Sequence, residues 1–366
     1  MKAILFLLLV TILLGCGKKV KDSSLSSDQS ETAVNKADSL AEGEFELDNE
    51  VFGQTIELAG INHPVDNIFE VKEPEMLATD SILIVKNRNG DNMFMAYSLP
   101  GFNLIKSFGR FGEGPDELQF PLIIKANNPD VYCYIQEWRK SHMLALNHSL
   151  EIFPLSFSIP ISTFERQICS LNDSTFFIST FSKGKRSIIE LKALHDSVIT
   201  NPFLNLSFSK DLNEWTSFIG DFGLNSQKKR IVFAYKYFKR IVFIDIENKK
   251  SRIVKFSEQN TSADLKSNPL GPENTTYYWG LSANKNYVYF LYSGRTPVDV
   301  SEELRKGPGY IFVEQFDWNG NPIRKFKLDH WGYFCVSEDE KTIYMLSTTE
   351  EQPIYSFTIP ELIKQP

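Results

Sequence analysis

The chain has 366 residues, and its apolar (42%) and charged (23%) fractions are those of an ordinary globular protein. The formal net charge of −7 excludes a protein that binds nucleic acid through non-specific phosphate contacts, because such binding needs a cationic surface. Aromatic residues make up 13% of the chain, with Phe the most abundant, and this favours β-structure.

The first 15 residues predict a signal peptide. Lys2 precedes an apolar run, Ala3–Leu14, which is too short for a membrane-spanning helix of about 20 residues. The run ends in Leu13-Leu14-Gly15-Cys16, which resembles the lipobox of bacterial lipoproteins. The resemblance implies cleavage before Cys16 and lipidation (palmitate included) of that residue. An ordinary secretory signal with a chance cysteine is the alternative.

Residues 16–44 predict a disordered tether behind the lipid anchor. The segment is rich in Ser, Lys, Asp and Glu and has no aromatic residue, so it cannot bury enough apolar surface to fold. Gly17, rather than Asp, follows the cysteine, and lysines rather than acidic residues come next. By resemblance to lipoprotein sorting rules in Gram-negative envelopes, we expect an outer-membrane anchor facing the periplasm.

Six copies of one pattern follow: an apolar pair, a short polar turn and an apolar, aromatic strand. These strands start at residues 82, 131, 176, 231, 288 and 343, so their spacings are 49, 45, 55, 57 and 55 residues. A period of roughly 40 to 50 residues with several strands per unit is typical of a β-propeller blade. The sequence therefore predicts an all-β, six-bladed β-propeller over residues 45–366. Long insertions are expected at His195–Gln227, Ser257–Tyr277 and Gly294–Gly309.

Each unit continues with a second strand and, in the clearest units, a third, after turns such as Asn89-Gly90 and Asn319-Gly320. The last unit ends near Glu361 without an outermost strand. The alternating segment Phe45–Glu57 lies before the first unit. We predict that this N-terminal strand completes the last blade, because closure removes an exposed sheet edge.

The most elaborate connection, residues 109–121, lies between the first two units and contains three glycines, two prolines and three carboxylates. Glycines permit positive φ, and Pro115 restricts both itself and Gly114, so a rigid and sharply bent connection is predicted. Glu117 then accepts hydrogen bonds from the loop's own N–H groups or pairs with Arg110. Calcium binding by Glu113, Asp116 and Glu117 is an alternative, and a direct role in a ligand site is another.

This segment resembles the G-x-x-G-x-G-P-x-E-[FL] motif of TolB-like six-bladed β-propeller lipoproteins, a family of envelope proteins. The resemblance extends over most of the chain through the number and order of blades. The positions that carry it are Gly109, Arg110, Gly112, Glu113, Gly114, Pro115, Asp116 and Glu117.

No catalytic or metal-binding motif is present. The five histidines are scattered, and Cys133, Cys169 and Cys335 lack C-x-x-C spacing and are expected to be buried free thiols. Loops on a rigid scaffold carry function disproportionately, so we expect a ligand surface there. Its predicted members are Trp138, Arg139, Trp215, Asp221, Trp279 and Arg295.

Three classes of function remain open. The first is a binding or scaffolding propeller that contacts another envelope protein through its loops. The second is a glycan-binding or small-ligand-binding protein, since exposed tryptophans stack on sugars. The third, placed last, is a calcium-dependent hydrolase or lyase, for which no catalytic constellation is visible.

Overall fold

Each sequence repeat folds into one small antiparallel sheet, and six such sheets form a ring. We describe a computed structural model, which places residues 40–67, 69, 75–89, 91–159, 168–195, 197–212, 216–257, 260, 265 and 271–362. The innermost strand of every blade contacts the innermost strand of the next blade, and the sixth contacts the first. The predicted all-β, six-bladed propeller is confirmed.

The first three blades have four strands each. From the axis outward, the strands are Glu75–Ala78, Ile82–Asn89, Asn92–Ser98 and Leu104–Arg110 in blade 1; Pro121–Lys125, Val131–Glu137, His142–Asn147 and Ile152–Ser158 in blade 2; and Ile168–Ser170, Thr175–Ser182, Lys185–Leu194 and Ser197–Asn205 in blade 3.

The last three blades each gain a strand from the N-terminal segment. From the axis outward, the strands are Gly220–Asn225, Arg230–Tyr235, Arg240–Asp245, Ser251–Phe256 and Gly43–Leu47 in blade 4; Thr276–Ala283, Tyr287–Arg295, Ile311–Asp317, Pro322–Leu328 and Ile56–Leu58 in blade 5; and Gly332–Val336, Thr342–Ser347, Ile354–Thr358 and Ile61–Asn62 in blade 6.

The N-terminal segment therefore runs along the outside of three blades, and the prediction that Phe45–Glu57 completes the last blade was wrong. Gly43–Leu47 and Ile56–Leu58 pair in parallel with the edges of blades 4 and 5. Blade 6 is completed by the next short strand, Ile61–Asn62, which is antiparallel to its neighbour. Alternation of apolar and polar residues indicates a strand, but it does not identify the sheet edge with which that strand pairs.

An aromatic anchor explains the route of this segment. A short 3₁₀ helix, Asn49–Phe52, follows the first strand and is capped by the side chain of Asp48. Its Phe52 ring lies 6.4 Å from Phe256 of blade 4 and 5.3 Å from Phe316 of blade 5. Leu40, which precedes the predicted boundary at residue 45, is already buried in the same cluster.

Two of the predicted insertions contain regular structure. His195–Gln227 includes the outermost strand of blade 3 and the innermost strand of blade 4. The outermost strand is mostly exposed, so it lacks the apolar alternation that reveals a strand in sequence. Gly294–Gly309 contains the α-helix Pro297–Leu304, which begins with a capping box between Thr296 and Asp299.

The core consists of layers between adjacent blades. Six buried clusters of apolar side chains are present, and each joins two neighbouring blades. The three cysteines beyond Cys16 are free thiols, two of them buried, as expected. Within the described part of the chain, no helix has the length and apolar character needed to cross a bilayer.

The ring has two distinguishable faces, because neighbouring strands within a blade are antiparallel. We call the upper face the one that carries the connections between blades and the turns between second and third strands. Residues 111–120, the 3₁₀ helix Trp138–Lys140 and the α-helix Pro297–Leu304 lie there. The lower face carries the turns between first and second strands and between third and fourth strands.

Candidate functional site

The motif loop between blades 1 and 2 folds around one carboxylate, that of Glu117. This carboxylate accepts a hydrogen bond from the Gly114 N–H (2.8 Å) and pairs with Arg110 Nε (3.1 Å). Gly112 makes room for it, because a Cβ at that position would lie 1.9 Å from Glu117 Oε2. The loop's ends are joined by the Leu118 N–H, which donates to the Arg110 carbonyl (2.8 Å).

Blade 2 braces this loop through two charged side chains that the sequence analysis did not single out. Glu137, only 1% exposed, accepts hydrogen bonds from the backbone N–H groups of Gln119 (2.9 Å), Phe120 (3.1 Å) and Arg139 (3.3 Å). Lys140 Nζ donates to the carbonyls of Gly114 and Glu117. The one available signal was an acidic residue at the end of an otherwise apolar strand.

The three carboxylates of the motif have separate surroundings. Glu117 is held inside the loop, Glu113 accepts a hydrogen bond from Gln119 Nε2 (3.1 Å), and Asp116 is exposed. In the part of the chain that the structure describes, no group of three or more His, Cys, Asp or Glu side chains is arranged to hold a metal ion. The calcium alternative therefore gains no support from this loop.

One aromatic side chain projects from the braced loop. Phe120 is 47% exposed, and the guanidinium of Arg139 lies 4.5 Å from its ring centroid. Arg139 Nη1 also donates to Gln119 Oε1 (3.1 Å), which fixes the pair to the loop. Trp138 begins the 3₁₀ helix that contains Arg139. Of the predicted ligand surface, Arg139 therefore contacts the motif loop and Trp138 precedes Arg139 in the chain, whereas Trp215 lies outside the described residues.

Asp221 and Trp279 lie on the innermost strands of blades 4 and 5, and both interact with Lys236. The Lys236 ammonium lies 4.1 Å from the centroid of the Trp279 ring, so it covers one face of that indole. Burial lowers the pKa of Lys236, and the Asp221 carboxylate opposes that shift. The edge of Trp331 lies against Trp279 at 5.9 Å between centroids.

Arg295 has a local structural role at the start of the α-helix. It forms an ion pair with Glu303 and donates a hydrogen bond to the carbonyl of Tyr310. Its guanidinium lies 3.9 Å from the Tyr310 ring centroid and 5.6 Å from that of Trp331. Of the six residues predicted to form one ligand surface, the described ones therefore fall into two groups, on blade 2 and on blades 4 and 5.

An axial channel passes between the innermost strands and contains a cavity of about 270 Å³. All six blades contribute to its lining, which combines apolar side chains with polar groups. Asp221 and Trp279 border its upper part. Glu75 also lines it and is held by Lys86 (2.5 Å) and by the Ile123 N–H (2.8 Å).

These features define a six-bladed propeller with a braced inter-blade loop and an axial channel lined by all six blades. A family model described as TolB-like 6-blade propeller-like matches residues 59–339. The chain therefore belongs to this TolB-like propeller family, as the motif indicated. Among functionally curated proteins, none matches this chain.

Two solved structures from Bacteroides share the fold. A member of the DUF4221 family from Bacteroides vulgatus is 14% identical, with a TM-score of 0.53, over 83% of this chain and 98% of that one. A Bacteroides fragilis protein described as exported is 13% identical, with a TM-score of 0.55, over 87% of this chain and 99% of that one. At these identities the similarity is one of fold.

Proposed function

We propose that this protein is a binding or scaffolding propeller of the bacterial envelope that contacts a protein partner through its upper face. The observation that carries the proposal is the exposed Phe120–Arg139 pair on a rigid loop. Aromatic and arginine side chains dominate the binding energy of protein interfaces, and a preorganised loop loses little entropy on binding. Glu137 and Lys140 supply that preorganisation.

We also propose that the protein is exported and anchored by a lipid on Cys16 to the outer membrane, facing the periplasm. The signal peptide predicted at residues 1–15 and the polar segment that follows support this proposal, as does the exported description of the Bacteroides fragilis protein. Mass spectrometry of the membrane-extracted protein tests it, with Cys16→Ala as control. An N-terminal peptide that carries an unmodified Cys16 thiol would refute lipid anchoring.

A glycan-binding function is the second candidate, and its test concerns Trp279. One face of this indole is covered by Lys236, so a sugar must stack on the other face or displace the lysine. We place glycan binding after protein binding for this reason. Binding of an oligosaccharide panel that is lost in Trp279→Ala, but kept in Phe120→Ala, would reverse that order.

We place catalysis last because the acidic residues that line the channel come from opposite blades and each has a cationic neighbour. Glu75 belongs to blade 1 and Asp221 to blade 4, on opposite sides of the ring. Each carboxylate also has a lysine nearby, Lys86 and Lys236 respectively. A general acid and base acting on one ligand would have to lie close together.

The experiment for the main proposal is capture of partners from envelope extracts by the full-length protein. Photo-crosslinking amino acids are placed at Phe120 on the upper face and, as a control, at Leu194 on the lower face. Leu194 is 50% exposed, so it matches Phe120 in accessibility. We expect one reproducible adduct at position 120 and none at 194, with loss of capture in Phe120→Ala. Equal adducts at both positions, or none at 120, would refute the proposal.

A further inference from the structure

One side chain, that of Lys125, crosses the axis of the propeller. Lys125 is the last residue of the innermost strand of blade 2, so it lies at the lower end of the channel. Its Nζ donates a hydrogen bond to the carbonyl of Ala283 (3.3 Å) in blade 5. Blades 2 and 5 are opposite each other in a ring of six. The lysine therefore places an ammonium group at the lower end of the cavity.

The charge of the Lys125 ammonium is not neutralised by an adjacent acid. In the described part of the chain, Lys125 forms no ion pair, and its hydrogen bond goes to a neutral carbonyl. Burial lowers the pKa of Lys125, while the more distant carboxylates of Glu338 and Glu340 oppose the shift. Glu340 is engaged by the Asn286 N–H (2.7 Å), and burial keeps the nearby Cys335 thiol protonated by raising its pKa to about 12.

The walls above the lysine combine apolar side chains with polar groups. Side chains from different blades line them, including Leu77, Ile123, Phe222, Leu281 and Phe334. The cavity volume of about 270 Å³ corresponds to roughly nine water-sized groups. A half-buried ammonium with no anion among the described residues within ion-pair distance, beside a cavity that carries apolar side chains from several blades, favours a ligand that supplies both a negative charge and an apolar body.

The cavities above and below Lys125 also differ in the acidic residues that border them. Below Lys125 lies a more open cavity of about 350 Å³, which is bordered by Asp80, His148 and Glu338. Two carboxylates at that cavity disfavour an anion there. An anion is therefore favoured on the channel side of the ammonium, where the closest acids, Glu75 and Asp221, are near the opposite end and are themselves compensated.

We infer that the axial channel is a binding site for a small apolar carboxylate, with the carboxylate on Lys125 and the hydrocarbon body against the walls. A chain of about eight carbons or a single aromatic ring fits the volume. The site is separate from the partner surface proposed at Phe120, so either proposal can fail without the other.

Isothermal titration calorimetry with octanoate and its neutral analogue octanamide tests the inference. The proteins are the wild type, Lys125→Met, which keeps length and apolar stem, and Lys192→Met, a charge-matched control at an exposed lysine of blade 3. We expect the wild type and Lys192→Met to prefer octanoate about tenfold or more, the difference typical of one charge-assisted hydrogen bond. Lys125→Met should lose this preference.

A second measurement does not depend on the variant folding. Reductive methylation of lysines in the wild type, followed by peptide mass spectrometry, reports on Lys125 directly. Octanoate should protect Lys125 several-fold more than octanamide does, while Lys192 reacts equally with both. Equal affinity for octanoate and octanamide, absence of octanoate binding, or unprotected Lys125 at saturating octanoate would each overturn the inference.

Discussion

The hydrogen bonds that Glu137 accepts from the motif loop give a quantitative prediction about stability. Substitution of Glu137 by Ala removes one buried carboxylate and leaves the backbone N–H groups of Gln119, Phe120 and Arg139 without this acceptor. At about 1 kcal/mol for each net hydrogen bond, the expected loss of unfolding free energy is about 3 kcal/mol. Glu137→Gln keeps one acceptor oxygen in nearly the same place, so about half of that loss is expected.

Urea titration, followed by tryptophan fluorescence and far-ultraviolet circular dichroism, measures these differences. Glu113→Ala is the matched control, because Glu113 lies in the same loop, is exposed and accepts one side-chain hydrogen bond. We expect this control to unfold close to the wild type. If Glu137→Ala lies within about 1 kcal/mol of Glu113→Ala, the buried carboxylate does not hold the loop and the preorganisation argument fails.

Three further outcomes follow from individual contacts. Gly112→Ala should lower the unfolding free energy by about 1–2 kcal/mol, because the new Cβ displaces the Glu117 carboxylate. The control, Gly307→Ala, has open space around its Cβ and should have little effect on the unfolding free energy. Equal urea midpoints for the two variants would contradict this prediction. The pKa of Lys125 is lower in the folded than in the unfolded protein, so the unfolded state binds more protons between those two values. Wild-type stability should therefore rise relative to Lys125→Met as the pH increases from the folded-state pKa of Lys125 towards its ordinary value of about 10, and a flat difference in urea midpoints would contradict the desolvation of this charge. Burial raises the pKa of Cys133 and of Cys335 to about 12, so both thiols should resist a thiol reagent at pH 8 until urea unfolds the protein, and modification of either in the native state would contradict their burial.

Local sequence patterns were sufficient to predict the blades. An apolar pair, a polar turn and an apolar strand are short-range features, and each corresponds to the first turn of a blade in the structure. The motif loop was also predictable in part, because glycine at 112 and proline at 115 restrict the backbone locally. The contact of Glu117 with Arg110 and with the Gly114 N–H lies within eight residues, so it follows from local geometry.

The candidate surface was predicted less well, because its members come from distant parts of the sequence. Trp138, Arg139, Asp221, Trp279 and Arg295 are all at the upper ends of strands, as expected for loop-proximal residues. The structure nevertheless assigns them to two groups, and it gives Arg295 an intramolecular partner in the helix.

The number of blades and the bend of the first inter-blade loop were predictable, since both depend on interactions between residues close in the chain. That Ile61–Asn62 completes the last blade, and that Lys125 crosses the axis to blade 5, is visible only in the folded ring. Both features depend on ring closure. The sheet edges of different blades present the same backbone N–H and C=O groups, so a local pattern does not select one edge. Opposite blades come close across the axis only when all six blades have closed the ring.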